Sequence, residues 1–98
     1  MKRSELLDAL KDVEDPELMM NVVDLGLIYR VEIREEVVEI DFTLTTPGCP
    51  AGDFIREQIV EKAQEASGRQ VEANLVWTPR WGPEYMSDEA KIALGFPV

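Results

Sequence analysis

The residues most able to do chemistry lie in one stretch, Thr45-Thr46-Pro47-Gly48-Cys49-Pro50, which holds the only cysteine of the chain. It closes an apolar strand and opens an amphipathic helix. Pro47 and Pro50 stiffen the backbone, and each removes an amide donor. Pro50 suits a first helical position, whose amide has no intrahelical partner anyway. Cys49 then falls at or beside the N-cap. Unpaired amides there carry partial positive charge, so a thiolate is stabilised and its reactivity rises. The plainer account is that Cys49 is a small buried hydrophobe. A second set is Asp15 and Glu17 in Glu14-Asp15-Pro16-Glu17-Leu18. Read locally this is a turn or one-turn helix, with Asp15 as its cap and Pro16 in the first helical position. The other account is a carboxylate pair aimed at a site.

What is missing narrows the chemistry. The chain has no histidine, which removes the commonest general base and metal ligand and excludes a Cys-His nucleophile system within one chain. No phosphate loop or dinucleotide fingerprint occurs. A closed zinc site or an iron–sulfur cluster takes about four ligands, and one thiol with a few carboxylates cannot supply them. Stable holding by a monomer is therefore not expected. Transient binding is open, since a homodimer would bring two Cys49 thiolates.

Composition sets the class. A chain of 98 residues, 45% hydrophobic, fits one small domain spanning residues 1–98. With 20 acidic and 10 basic residues the net charge is −10, so the surface repels phosphate backbones and anionic membranes. No nucleic-acid partner and no membrane partner are expected. Nor is there a bilayer-length apolar run, a signal peptide or a disulfide framework, so a cytoplasmic location is the default.

Several elements must position the stretch. Ser4 is expected to cap a first helix whose apolar face is Leu6, Leu7, Leu10 and Val13. Leu25, Leu27, Tyr29, Val31 and Ile33 alternate as the inner face of a first strand, in which Gly26 suggests a bulge or a close backbone approach. A second strand runs from about Val37 to Thr45, with Val38, Ile40, Phe42 and Leu44 inward and Glu39, Asp41 and Thr43 outward. The longest helix, from about Pro50 to Ala66, buries Ala51, Phe54, Ile55, Ile59 and Ala63. Arg56, Glu57, Glu61, Lys62 and Glu65 face water, and Gly68 ends it. Asp53 in its first turn supports the helix dipole but opposes a Cys49 thiolate. A third strand, Val71 to Trp77, turns Val71, Ala73, Leu75 and Trp77 inward.

An aromatic, Pro/Gly-bounded loop follows. Trp77 and Trp81 read as a satellite core, a lid or a partner surface. Ser87 caps a last helix, Asp88 to Leu94, and Gly95 stops it. The order predicts a two-layer α+β domain, α-β-β-α-β-α, with a small three-stranded sheet and helices on one face. Arg30, Glu32, Glu39, Asp41, Glu72 and Asn74 occupy the solvated opposite face.

Taken together, several motifs resemble one family. They are Asp15-Pro16-Glu17-Leu18; Asn21-Val22-Val23-Asp24-Leu25-Gly26-Leu27-Ile28-Tyr29; Leu44-Thr45-Thr46-Pro47-Gly48-Cys49-Pro50; Trp81 with Pro83-Glu84 and Met86-Ser87; and Gly95-Phe96. In this order they resemble the SufT/PaaD-like metal–sulfur cluster biosynthesis proteins. The same domain is found fused to Mrp-type P-loop cluster carriers and in the eukaryotic cytosolic iron–sulfur targeting factor. The resemblance covers nearly the whole chain. It implies an Fe–S cluster assembly domain fold and a role in assembling iron–sulfur clusters or delivering them to client proteins.

By the same resemblance Cys49 is the functional thiol and the site for a transient cluster or iron, across a dimer if one forms. Asp15, Glu17, Thr45 and Thr46 surround it, which reverses the local account of the carboxylates. Threonine hydroxyls would donate to a thiolate or sulfide. The carboxylates would ligand iron and raise the thiol pKa by like-charge repulsion. Implied partners are iron–sulfur assembly proteins or client apoproteins. Met19 stands where many relatives have glycine, so the loop after Leu18 is expected to differ. The chain lacks the cysteine-rich C-terminal extension of the PaaD branch, which leaves a generic SufT-like role.

Two other accounts remain. One is an interaction-only adaptor with a structural Cys49, docking through Trp77, Trp81, Tyr85 and Met86. The other is a thiol enzyme with Cys49 as nucleophile and Asp15 or Glu17 as acid/base. The resemblance favours a maturation factor over an enzyme in the turnover sense.

Overall fold

The structure, a computed structural model, describes residues 1–45 and 51–97. The elements are α1 (Arg3–Leu10), β1 (Glu14–Asp15), β2 (Met20–Asn21), β3 (Ile28–Ile33), β4 (Val37–Phe42), α2 (Gly52–Ser67), β5 (Gln70–Leu75), a 3-10 turn (Pro83–Tyr85) and α3 (Asp88–Leu94). The main sheet has the order β3-β4-β5. Strands β3 and β4 are antiparallel, and β4 and β5 are parallel. A parallel pair needs a crossover, and α2 provides it, packing on β5 and α1. The two-layer α+β domain read from the sequence is therefore what forms. A two-residue ribbon, β1 with β2, is added before the sheet.

The core joins both layers. Leu6 and Leu10 of α1, Val38, Ile40 and Phe42 of β4, and Ile55, Ile59 and Ala63 of α2 are fully buried. Burying a large aliphatic side chain is worth about 1.5–3 kcal/mol, and these residues tie the helices to the central strand. At the start of α1 the cap is Lys2 rather than Ser4. Glu5 reaches back to accept the Lys2 amide at 2.8 Å, which starts the helix earlier than the serine would.

Four further expectations are corrected, and each error falls where a regular period stops. The alternation from Leu25 to Ile33 is broken. Leu25 and Gly26 belong to a turn in which the Leu25 and Gly26 amides donate to the carbonyls of Asn21 and Val23. The register then slips between Ile28, opposite Phe42, and Arg30, opposite Asp41, leaving Tyr29 as the extra residue of a bulge. Thr43 is not outward but 1% exposed. The strand ends at Phe42, and the Thr43 amide turns to the Leu27 carbonyl at 2.8 Å. Trp77 is not inward but exposed, because the pairing ends at Phe42 with Leu75 and the last backbone bond to the central strand is the Val76 amide to the Phe42 carbonyl at 2.8 Å, one residue before Trp77. Phe54, expected in the buried stripe of α2, is 49% exposed. The buried residues Ile55, Ile59 and Ala63 follow an i, i+4 line that passes beside it.

The face away from the helices is polar as expected. Arg30 is its hub, donating to Asp41 at 2.8 Å, to Glu39 at 3.2 Å and to Glu32, while Arg34 pairs with Glu32 at 3.0 Å. Asn74 donates to the other Asp41 oxygen at 3.2 Å. The Arg30 hydrogen bond holds the Asp41 carboxyl below its ordinary pKa, and Arg34 does the same for Glu32.

Candidate functional site

Asp15 is the buried acid of the molecule, 2% exposed. It sits at the end of β1, and its Oδ1 accepts the Glu17 amide at 2.8 Å and the Leu18 amide at 3.2 Å. Its carbonyl accepts the Met19 amide at 2.8 Å. These bonds form the turn that joins β1 to β2, with Pro16 pre-set for its first bend. Asp15 is thus a turn cap, and the Glu17 backbone is drawn to it while the Glu17 side chain lies at the surface. Met19 closes the turn with φ +57°, a left-handed conformation that suits glycine and strains a longer side chain. Its side chain is 76% exposed.

The turn lies against the start of α2. Pro16 and Phe54 share the walls of a cleft of about 290 Å³ with Asp12, Glu14 and Gln58. Helix α2 has Ala51 as its N-cap, already in helical conformation at φ −75°, ψ −8°. The cap is therefore two residues after Cys49, where the sequence predicts Cys49 at or beside the cap and a helix starting from about Pro50. Thr45 is half-buried beyond the end of β4. Cys49 and Thr46 lie outside the described residues. Of the sequence-derived site, the structure holds Asp15 and Glu17 in one turn, whose Pro16 shares a cleft with Phe54 of α2.

The residues expected to form a docking surface divide. Trp77 and Tyr85 are exposed, at 45% and 42%. Met86 is 5% exposed and belongs to the core. Trp81 is half-buried, packs against the core and donates its indole N–H to the Leu25 carbonyl at 2.8 Å.

That bond is part of a clasp between residues 21–26 and 81–87. Asn21 and Asp24 exchange two bonds: the Asp24 amide donates to Asn21 Oδ1 at 2.8 Å, and Asn21 Nδ2 donates to Asp24 Oδ2 at 2.7 Å. The Ser87 amide then donates to the Asp24 carbonyl at 2.8 Å, and Ser87 Oγ accepts the Ala90 amide to start α3. Gly26, at φ +76°, lies so close to Tyr85 that a Cβ would stand 2.2 Å from the Tyr85 carbonyl oxygen. The close backbone approach expected at Gly26 is real, while the bulge comes at Tyr29.

Sequence reading missed three polar groups. Arg56, expected to face water, places its guanidinium 5.8 Å from the centre of the Phe42 ring, and its Nε is buried without a hydrogen-bond partner. The available signal was its i, i+4 spacing to Val60, which packs on the core. The Thr43 hydroxyl is buried and unpartnered, hidden from a period-2 reading by the strand end. The Tyr29 hydroxyl is likewise buried and unpartnered. Burial, then the neighbouring Tyr85 and Glu84, push its phenol pKa up.

As chemistry, the described residues offer a capped acid, a surface carboxylate and a half-buried cation near the end of the central strand. Among them no three His, Cys, Asp or Glu side chains converge to hold a metal ion. With one cysteine and no histidine in the chain, a four-ligand cluster site would have to be completed from outside one copy.

Comparison with known proteins agrees with this frame. Residues 3–75 match the family described as "Iron-sulfur cluster assembly protein". A Porphyromonas gingivalis protein named "Fe-S protein maturation auxiliary factor" is 42% identical over 94 residues, covering 94% of this chain and 90% of that protein. The Staphylococcus aureus protein named "Fe-S protein maturation auxiliary factor SufT" is 46% identical over 85 residues, covering 85% and 97%. A solved domain of unknown function from Bacillus anthracis superposes with a TM-score of 0.89 at 37% identity, covering 96% of this chain and 92% of that one. The motifs, the fold and these similarities together place the chain in the iron–sulfur cluster assembly protein family.

Proposed function

We propose that this protein is an accessory factor in iron–sulfur protein maturation, assisting the assembly of clusters or their delivery to client proteins through Cys49 and protein contacts. The observation that carries the reading is the end-to-end similarity to proteins named Fe-S protein maturation auxiliary factors. The geometry is compatible with it. Pro16 of the Asp15–Met19 turn shares a cleft with Phe54 in the first turn of α2, and that helix begins just after the segment carrying the only thiol. A cluster or iron would be cargo held briefly, with Cys49 as one ligand and the remaining ligands coming from a second copy, a partner or a small thiol. The partners would be cluster assembly proteins or client apoproteins.

A second reading is an adaptor in which Cys49 is structural. The exposed Trp77 and Tyr85 favour it. Anaerobic reconstitution with iron and sulfide separates the two. If the protein carries cargo, wild type binds cluster as a dimer, read by absorbance, iron content and native mass, and Cys49→Ala does not. If neither protein binds cluster, the stand-alone carrier fails and the adaptor reading takes its place.

A further inference from the structure

The open face of the sheet is not uniformly charged. Beside the Arg30 network lies a cleft of about 440 Å³ whose walls include Ile28, Tyr29, Asp41, Val76, Pro79 and Tyr85. The Tyr29 and Tyr85 rings stand 5.6 Å apart at 45°. Three features of this cleft point to an occupant.

The first is the Tyr29 hydroxyl, buried with no hydrogen-bond partner. A buried polar group without a partner is costly, and natural structures rarely keep one without a reason. The second is charge. No Lys or Arg lines the cleft. The adjacent network sets three carboxylates, Glu32, Glu39 and Asp41, against two guanidiniums, Arg30 and Arg34. That leaves one negative charge over, and Glu84 lies within electrostatic reach of Tyr29. An anion would be repelled here and a cation attracted. The third is the wall itself. Tyr85 is 42% exposed, so the cleft wall offers accessible aromatic surface to a planar group.

We infer that this cleft receives an arginine side chain from a partner protein, held by the Tyr29 hydroxyl, the Asp41 carboxylate and the Tyr85 ring. A guanidinium is planar and stacks on an aromatic face while its N–H groups donate in the ring plane. The Tyr29 oxygen accepts one of them. Asp41 is fixed by Arg30 at Oδ2 and Asn74 at Oδ1, and each carboxylate oxygen has a second lone pair to offer. None of these residues is among Cys49, Asp15, Glu17, Thr45 and Thr46, so the inference does not rest on the cargo reading.

The test is an amide NMR titration of the full chain with N-acetyl-arginine methylamide, run beside N-acetyl-leucine methylamide. The arginine compound should produce saturating shifts at Ile28, Tyr29, Asp41, Val76 and Tyr85 in the millimolar range, and the leucine compound should not. Tyr29→Phe should weaken binding about tenfold, the size of one hydrogen bond to a charged group. The same variant should be at least as heat-stable as wild type, because the unpartnered hydroxyl is gone, and that rules out misfolding as the cause. Absence of saturating shifts in the cleft, equal shifts from the leucine compound, or unchanged binding by Tyr29→Phe would each overturn the assignment.

Discussion

Two neighbouring turns, residues 15–19 and 21–26, are built from the same device, a side-chain oxygen that accepts backbone amides. They differ in what lies behind them. In the second turn Asn21 and Asp24 bond to each other, and the Trp81–Ser87 loop closes over the result through Leu25, Asp24 and Gly26. In the first turn only Asp15 is fully inside, with Leu18 half-buried against the core. Glu17 and Met19 are exposed, and Met19 is held in a left-handed conformation. The second turn is architecture, fastened on every side. The first is a shaped surface beside the start of α2, whose form depends on one buried carboxylate.

The largest blow to this contrast should come from Gly26→Ala. A Cβ there meets the Tyr85 backbone at 2.2 Å and also disfavours the positive φ, so neither side can yield cheaply. We expect a loss of about 3 kcal/mol or more in denaturant unfolding. A loss below about 1 kcal/mol would mean that the clasp is loose. Trp81→Phe keeps most of the ring but removes the donor to the Leu25 carbonyl. It should cost about 1–3 kcal/mol by the same measurement. Asp15→Ala should cost about 1–2 kcal/mol, because two amides lose their acceptor, while Asp15→Asn, which retains a carbonyl oxygen, should lose clearly less. If both variants fell equally, the negative charge rather than the turn cap would be what matters. Smallest, and opposite in sign, is Met19→Gly. It should raise stability by up to about 1 kcal/mol by relieving the left-handed strain, and a loss would show that the exposed methionine is packed in solution.

Legibility followed the locality of each signal. Helix α3 reads off completely, from the Ser87 cap to Gly95 at φ +83°, because every determinant lies within a few residues. The end of α2 at Gly68 is equally local. The positions of Thr43, Tyr29 and Trp77 depend on where β4 stops and where the register slips, and alternation of residue type records neither. Phe54 is exposed where burial was expected, and Arg56 lays its guanidinium over Phe42 while its side chain stays partly exposed, for a related reason. A helical period marks a stripe, but not whether the neighbouring layer extends far enough to cover its edge. For the site, the resemblance named Asp15 and Glu17, while the local reading of Asp15 as a cap is what the structure shows. The motif around Asn21–Gly26 carried the resemblance to the family, and the bonds of Asn21, Asp24 and Leu25 serve the fold itself. Cys49 and Thr46 lie outside the described residues, so their part rests on the chemistry of the residues and on the family.

The bulge at Tyr29 has a meaning for how copies of this molecule meet. Among the described residues strand β3 is an end strand, with β4 on one side and no strand on the other. Such a margin is an open template on which a second chain can add a strand, the first step toward uncontrolled stacking. An inserted residue twists the strand and spoils the even spacing a newcomer would need, and the charges of Arg30 and Glu32 follow directly after it. The irregularity that sets Tyr29 in the cleft wall thus also guards the sheet margin.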